Sequence, residues 1–222
     1  MIQPLLLSLR IASLATILAM GLGVGMAAML AGRRHPLASL LDATVNLPLV
    51  LPPTVLGYYL LVVLGARSPL GVLLESWGIP LVFTWRGAVI AATTVALPLV
   101  LQSSKSAIEA IDPLMADVAR TLGRSELAIF FTITLPLAWR GLLSGGILAF
   151  ARSLGEFGAT LMVASNIPGE TQTLSIAIYD AVQAGDQARA NALAALLTAT
   201  AILLLVAFRR LGHRLGERGQ DG

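Results

Sequence analysis

Uninterrupted apolar runs constrain this chain more than any other feature. Residues 11–32 form 22 positions without a charge, residues 43–66 form 24, residues 87–104 form 18 and residues 190–208 form 19. About 20 mostly apolar residues, wound as a helix, cross the hydrocarbon core of a bilayer. Each run is therefore a candidate membrane span. Only 12% of the 222 residues are charged, against about 25% in an ordinary soluble domain. That scarcity excludes a water-soluble enzyme, a disordered chain and a nucleic-acid binder. There is no cysteine, hence no disulfide framework, thiolate metal site or Cys nucleophile. His35 and His213 lie far apart among arginines, which argues against zinc.

A fifth span is less clean. Residues 141–163 are apolar except for Arg152 and Glu156, which stand four positions apart and would share one face of a continuous helix. A charge at a span centre costs roughly 2.5–3.5 kcal/mol on insertion scales. The pair should turn toward protein or water. It reads either as an anion-sensing group or as a structural ion pair, and the structural reading is preferred because tight intramembrane binding would slow release. Residues 174–182 are too short to span and read as an interfacial or re-entrant helix.

The basic residues orient the spans. Arg33, Arg34 and His35 follow the first; Lys105, Arg120, Arg124 and Arg140 lie between the third and fourth; Arg209, Arg210, His213, Arg214 and Arg218 follow the fifth. The positive-inside rule assigns these loops to the cytoplasm and the N-terminus to the outside. The net charge of +3 thus marks loops rather than nucleic-acid contacts. Because the positive cluster follows the first apolar run, the start of the chain does not read as a cleaved signal peptide.

The second span contains Pro48, Pro52 and Pro53. Proline removes a donor and clashes with the carbonyl four residues back, so the break must face protein or water. It is either a passive kink or a hinge lining a pathway. Asn46, Thr54, Ser153 and Thr160 are the other polar candidates for a pathway or gate.

The loop at 105–136 carries its own helix signals. Asp112 is an N-cap, Pro113 suits the first helical turn, and Gly123 suits the left-handed residue after the end. Between them Leu114, Val118 and Leu122 recur every fourth position, with Met115 beside them. Asp117 and Arg120 can pair at i, i+3. Such a short amphipathic helix is marginal alone, so its apolar face must dock on something.

Asp117-Val118-Ala119-Arg120-Thr121-Leu122-Gly123, followed after nine residues by Ile133-Thr134-Leu135-Pro136, resembles the "EAA" loop of ABC importer permeases. Asp117 stands for Glu and Val118 for the first Ala; every spacing agrees. Leu51-Pro52-Pro53-Thr54-Val55-Leu56-Gly57-Tyr58-Tyr59 and the stretches at 152–163 and 166–179 resemble molybdate permeases. The resemblance covers nearly the whole chain. It implies an all-α polytopic protein with the type I ABC importer permease fold. The five spans would lie at about 5–32, 43–65, 86–104, 138–163 and 189–208 in one domain, 1–222.

It also implies that Asp117, Ala119, Gly123, Ile133, Leu135 and Pro136 couple the chain to an ATPase. Leu114, Met115, Val118 and Leu122 would form the face that docks. The implied assembly is a homodimer in the bacterial cytoplasmic membrane, with two cytoplasmic ATP-binding subunits and an external oxyanion-binding protein. It would move molybdate, with tungstate as a further possibility, by alternating access. No nucleic acid partner and no cofactor are implied.

The chain itself is no ATPase: it has no Gly-x-x-x-x-Gly-Lys-Ser/Thr loop, and its one lysine is Lys105. The glycines at 21–25 and 141–146 lie in apolar runs, where small residues let helices pack closely. Sulfate, thiosulfate or another oxyanion is the alternative cargo. A non-transporting membrane scaffold is the alternative of a different class.

Overall fold

Paired prolines decide where the second apolar run stops being one helix. The computed structural model describes residues 2–32 and 35–217. Arg33, Arg34 and Arg218, counted above toward the inside, lie outside them. Eleven α-helices follow in order: α1 Ile2–Leu30, α2 Pro36–Val50, α3 Pro53–Leu64, α4 Pro69–Ser76, α5 Trp85–Glu109, α6 Pro113–Thr121, α7 Glu126–Ile129, α8 Leu135–Leu154, α9 Gly158–Ala164, α10 Leu174–Gln183 and α11 Gln187–Glu217. A π-helical turn, Phe130–Thr134, joins α7 to α8. No strand occurs among the described residues.

Four stretches are long and apolar enough to cross a bilayer: α1, α5, residues 126–154 and α11 as far as Phe208. Helices α3 and α4 are long and apolar enough only when taken together; bent by 63° at their junction, the pair is either a broken fifth span or a re-entrant loop. The run expected at 43–65 is not one helix. Pro52 and Pro53 remove two successive N–H donors, so α2 ends at Val50 and α3 restarts at Pro53. Helix α4 has a sequence signal of its own, because Ser68 caps it by accepting from the Gly71 N–H at 2.8 Å, with Pro69 in the first turn.

The run expected at 138–163 is also two helices. Helix α8 stops at Leu154, residues 155–157 form a break, and α9 begins at Gly158. Arg152 and Glu156 therefore do not share a continuous helix. Their pair closes across the end of α8.

Helices α1, α5 and α8 pack on one another as the central layer. The contact face of α1 is built from Ala12, Ala15, Ala19, Gly23 and Ala27, all buried. Small side chains let the backbones approach, which is how helices associate in lipid, where apolar burial gives no net drive. A Cβ on Gly23 would lie 2.7 Å from Val100 Cγ1. The other glycines of that run, Gly21 and Gly25, meet nothing within 4 Å, so one position of three carries the close approach. Helix α10 packs on α11 through Leu174, Ala177, Ala181, Ala190 and Leu193, and Ser8 of α1 accepts from the Leu174 N–H at 2.8 Å. The segment read as interfacial is thus tied into the bundle at its start.

Candidate functional site

The first candidate site is the loop between α5 and α8. Asp112 Oδ1 accepts from the Leu114 N–H at 2.9 Å, satisfying one of the free donors that open α6. At the far end, Gly123 N–H bonds to Arg120 O at 2.9 Å and Arg124 N–H to Ala119 O at 3.1 Å. This is a Schellman ending, and it needs the left-handed backbone that Gly123 adopts at φ +78°. An L side chain would be strained there by its own backbone, although nothing else crowds the position.

The faces of α6 are unequal. Ala119 is buried against the elements that follow. Leu114, Met115, Val118 and Leu122 are 63%, 50%, 50% and 78% exposed. Three large apolar side chains of the nine-residue α6, and Leu122 at its C-cap, are left exposed in this chain.

Charge holds the turn after α6. Arg120 Nη1 donates to Asp117 Oδ1 at 2.6 Å, and Arg120 Nε donates to Glu126 Oε1 at 2.6 Å. Its bonds to Glu126, then to Asp117, push the guanidinium pKa above its already high ordinary value. Asp117–Arg120 is the expected i, i+3 pair. Glu126 is an addition; its sequence signal is Ser125-Glu126 as a cap and first-turn acid, with Ser125 accepting from the Ala128 N–H at 3.3 Å.

Ile133 lies in the π turn, and Leu135 and Pro136 open α8. Leu135 N–H bonds back five residues to Phe130 O. Pro136 has no N–H to offer the carbonyl of Thr132 and would crowd it in a regular α-helix. The wider turn just before it absorbs that misfit. Helix α6 touches this turn, which brings the two parts of the loop together in space.

The second candidate site is where the two helix breaks meet. A Cβ on Gly158 would lie 3.1 Å from Pro53 Cβ and 3.4 Å from Thr54 Cγ2, and one on Gly57 would lie 2.7 Å from Met162 Cβ and 3.0 Å from Ala159 Cα. The start of α3 is thus pressed onto α9. Arg152 Nη1 lies 2.7 Å from Glu156 Oε2, while Glu156 Oε1 accepts from the Ala159 N–H at 2.9 Å. One buried carboxylate neutralises Arg152 and caps α9. With both oxygens occupied by the chain itself, the structural reading of the pair is favoured over anion holding.

The other polar candidates divide. Ser153 and Thr160 are buried. Pro52, Pro53 and Thr54 are exposed, and Asn46 is half-buried. Asn46 Oδ1 accepts from Gln102 Nε2 at 3.0 Å, and one turn away Lys105 pairs with Asp42 at 3.3 Å. The structure does not gather these six residues into one surface. A further polar cluster joins Asn166, Gln172 and Asp180, with Asn166 Nδ2 donating to Asp180 Oδ1 at 3.0 Å and Gln172 Nε2 to Asn166 Oδ1 at 2.9 Å. It clamps the loop between α9 and α10. No cluster of three metal-ligating side chains occurs among the described residues.

Comparisons with known proteins follow the same lines. Residues 19–218 match the family described as "Binding-protein-dependent transport system inner membrane component". The chain is 44% identical over 218 residues to the molybdenum transport system permease protein ModB of Escherichia coli (strain K12), covering 97% of this chain and 95% of that one. It is 34% identical over 196 residues to the sulfate transport system permease protein CysT of Salmonella typhimurium, covering 88% and 71%. Among solved structures, an inward-facing MetNI methionine ABC transporter matches with a TM-score of 0.73 at 17% identity, over 94% of this chain and 92% of that one; this likeness speaks for the fold alone. All-helical, with four to five apolar crossings and a permease's architecture, the chain belongs to the inner membrane components of binding-protein-dependent transport systems.

Proposed function

We propose that this chain is the membrane-spanning subunit of an ATP-driven importer whose cargo is molybdate. Its identity to the Escherichia coli molybdenum permease over nearly the full length of both chains carries that reading. Two copies would enclose the route about a two-fold axis, since one chain has few spans with which to surround it. The N-terminus would lie outside and the C-terminus inside, in accord with the basic loops.

Helix α6 would sit in a cleft of a cytoplasmic ATP-binding subunit, one per copy. The four exposed apolar side chains at 114, 115, 118 and 122 support this, because they are too few to form a core and too many to leave in water. An external binding protein would deliver the oxyanion and supply most of the affinity. ATP binding would draw the two ATPases together, move both α6 helices and open the route outward; hydrolysis would reset it.

Sulfate is the second reading, supported by the 34% identity to a sulfate permease. The test is uptake into proteoliposomes holding the permease, its ATPase and its binding protein. ATP-dependent accumulation of labelled molybdate that excess sulfate does not suppress is the expected result. Suppression by equimolar sulfate would favour the second reading, and uptake without ATP would sink both.

A further inference from the structure

Hydroxyl groups on membrane helices ordinarily satisfy themselves by donating to the carbonyl one turn back. This chain follows that habit at Thr16, Thr93, Thr94 and Thr200, which donate to the carbonyls of Ala12, Val89, Ile90 and Leu196 at 2.7–2.8 Å. Among the described residues, Ser103 is half-buried and Ser106 and Ser144 are exposed, unlike Ser104 and Ser153 on the same helices, whose Oγ atoms are buried without a partner. Ser103, Ser106 and Ser144 line, with Gln102, Ala107 and Gly141, an open furrow of about 520 Å³ between α5 and α8. Its position is the last two turns of α5 and the first half of α8, next to the loop that carries α6.

Polar groups without internal partners are costly against hydrocarbon. Where such groups reach the surface of helices that must cross a bilayer, they mark water. The furrow is large enough for it, since one liquid water takes roughly 30 Å³. Among the described residues, no ionisable side chain lines it. Lys105, on α5, is paired with Asp42 of α2. Gln102, which also lines the furrow, donates to Asn46 on α2 at 3.0 Å.

We propose that Gln102, Ser103, Ser106 and Ser144 form a wet, uncharged wall of the oxyanion's route through the half of the bundle nearest α6. This rests on the transport reading above and assigns the route to residues outside the proline break. Neutral O–H and N–H donors suit a tetrahedral oxyanion that has to leave again: they replace part of its hydration without the deep well that a fixed cation would make. Molybdate and sulfate both meet such a wall equally well, so selection between them belongs to the binding protein.

The chain has no cysteine, so a single Ser106→Cys or Ser144→Cys substitution gives a unique thiol. Each variant is reconstituted as the full complex with its ATPase and binding protein and exposed to a negatively charged methanethiosulfonate. Leu203→Cys, on the apolar exposed face of α11, is the lipid-facing control. The thiolate attacks the reagent's sulfenyl sulfur, forms a mixed disulfide and expels methanesulfinate; each pKa unit that an apolar setting adds to a thiol removes about ten-fold of that thiolate. The expected result is reaction at positions 106 and 144 at least about ten-fold faster than at 203, with molybdate uptake falling several-fold after modification.

Rates equal to the control, both at rest and during ATP turnover, would overturn the proposal, because the wall would then face lipid or packed protein. Fast modification that leaves uptake unchanged would overturn it as well. Reactivity needs no cargo, so the failure of the unmodified complex to import molybdate would count against the substrate reading alone.

Discussion

Arg120 Nε lies 2.6 Å from Glu126 Oε1, across the turn that separates α6 from α7. The same guanidinium holds Asp117 on its own helix. One cation therefore fixes the angle between the helix with the exposed apolar face and the segment that feeds α8. Loss of either carboxylate frees one end of that brace. Exposed pairs contribute about 0.2–1 kcal/mol each, so Glu126→Gln should lower coupled uptake by no more than about five-fold and leave assembly intact. Reversing the pair, Arg120→Glu with Glu126→Arg, should recover part of the loss. Uptake per ATP hydrolysed in proteoliposomes is the measurement.

Gly123 should tolerate substitution according to backbone preference rather than size. Nothing lies within 4 Å of its missing Cβ, yet its φ is +78°. Gly123→Asn, a residue that visits the left-handed region, should cost less than the roughly 1–2 kcal/mol expected of Gly123→Val. Gly123→Arg should uncouple transport while the protein stays in the membrane. Uptake and membrane content, measured together, separate the two effects.

Charge on the free face of α6 should prevent docking without unfolding the chain. Val118→Asp and Leu122→Asp replace exposed side chains, so the bundle should keep its thermal stability. Co-purification of the ATPase after mild detergent extraction should fall to background. Retention of the ATPase by the double variant would rule out this face as the joint.

Glu156 joins two duties, and its variants should separate them. Glu156→Gln keeps an acceptor for the Ala159 N–H but leaves Arg152 unpaired; Glu156→Ala loses both. The alanine variant should be the more destabilised, by up to about 3 kcal/mol, the low end for breaking a buried pair because Arg152 keeps 36% of its side chain exposed. Arg152→Leu with Glu156→Gln should be milder than Glu156→Gln alone. Melting in detergent checks the order, and an unchanged KM for cargo in the double variant would confirm that the pair is structural.

Gly57→Val should weaken the seam between α3 and α9, because a Cβ there meets Met162 Cβ at 2.7 Å and backbone of Ala159 at 3.0 Å. Overpacking of this kind costs about 1–3 kcal/mol. Gly21→Ala, where nothing lies within 4 Å, is the matched control and should be silent. Thermal unfolding of the two purified variants tests the contrast.

Helix α6 was legible residue by residue, since its cap, its apolar spacing and its terminal glycine are all local signals. The breaks were less so. Pro52-Pro53 shows where a helix must fail but not that its restart is pressed onto α9. The break at 155–157 contains no proline, and its carboxylate looks like part of a helix face until Ala159 is seen to donate to it. Glu126 is a partner of Arg120 only because a left-handed glycine folds the chain back between them. The furrow was invisible in one dimension: Ser103 and Ser144 belong to different helices, and the exposure of a hydroxyl is a property of three-dimensional surroundings.

Helix α8 has a yielding joint at each end, the π turn at Phe130–Thr134 and the three-residue gap before α9. Between them run 20 residues, about 30 Å of stiff rod. A push delivered where α6 touches the π turn can thus travel as thrust along α8 without bending it. It arrives at Glu156, whose carboxylate holds the first turn of α9, and α9 bears on the restart of α3. Along this line the chain is jointed like a linkage, with its slack at the π turn and at the gap before α9.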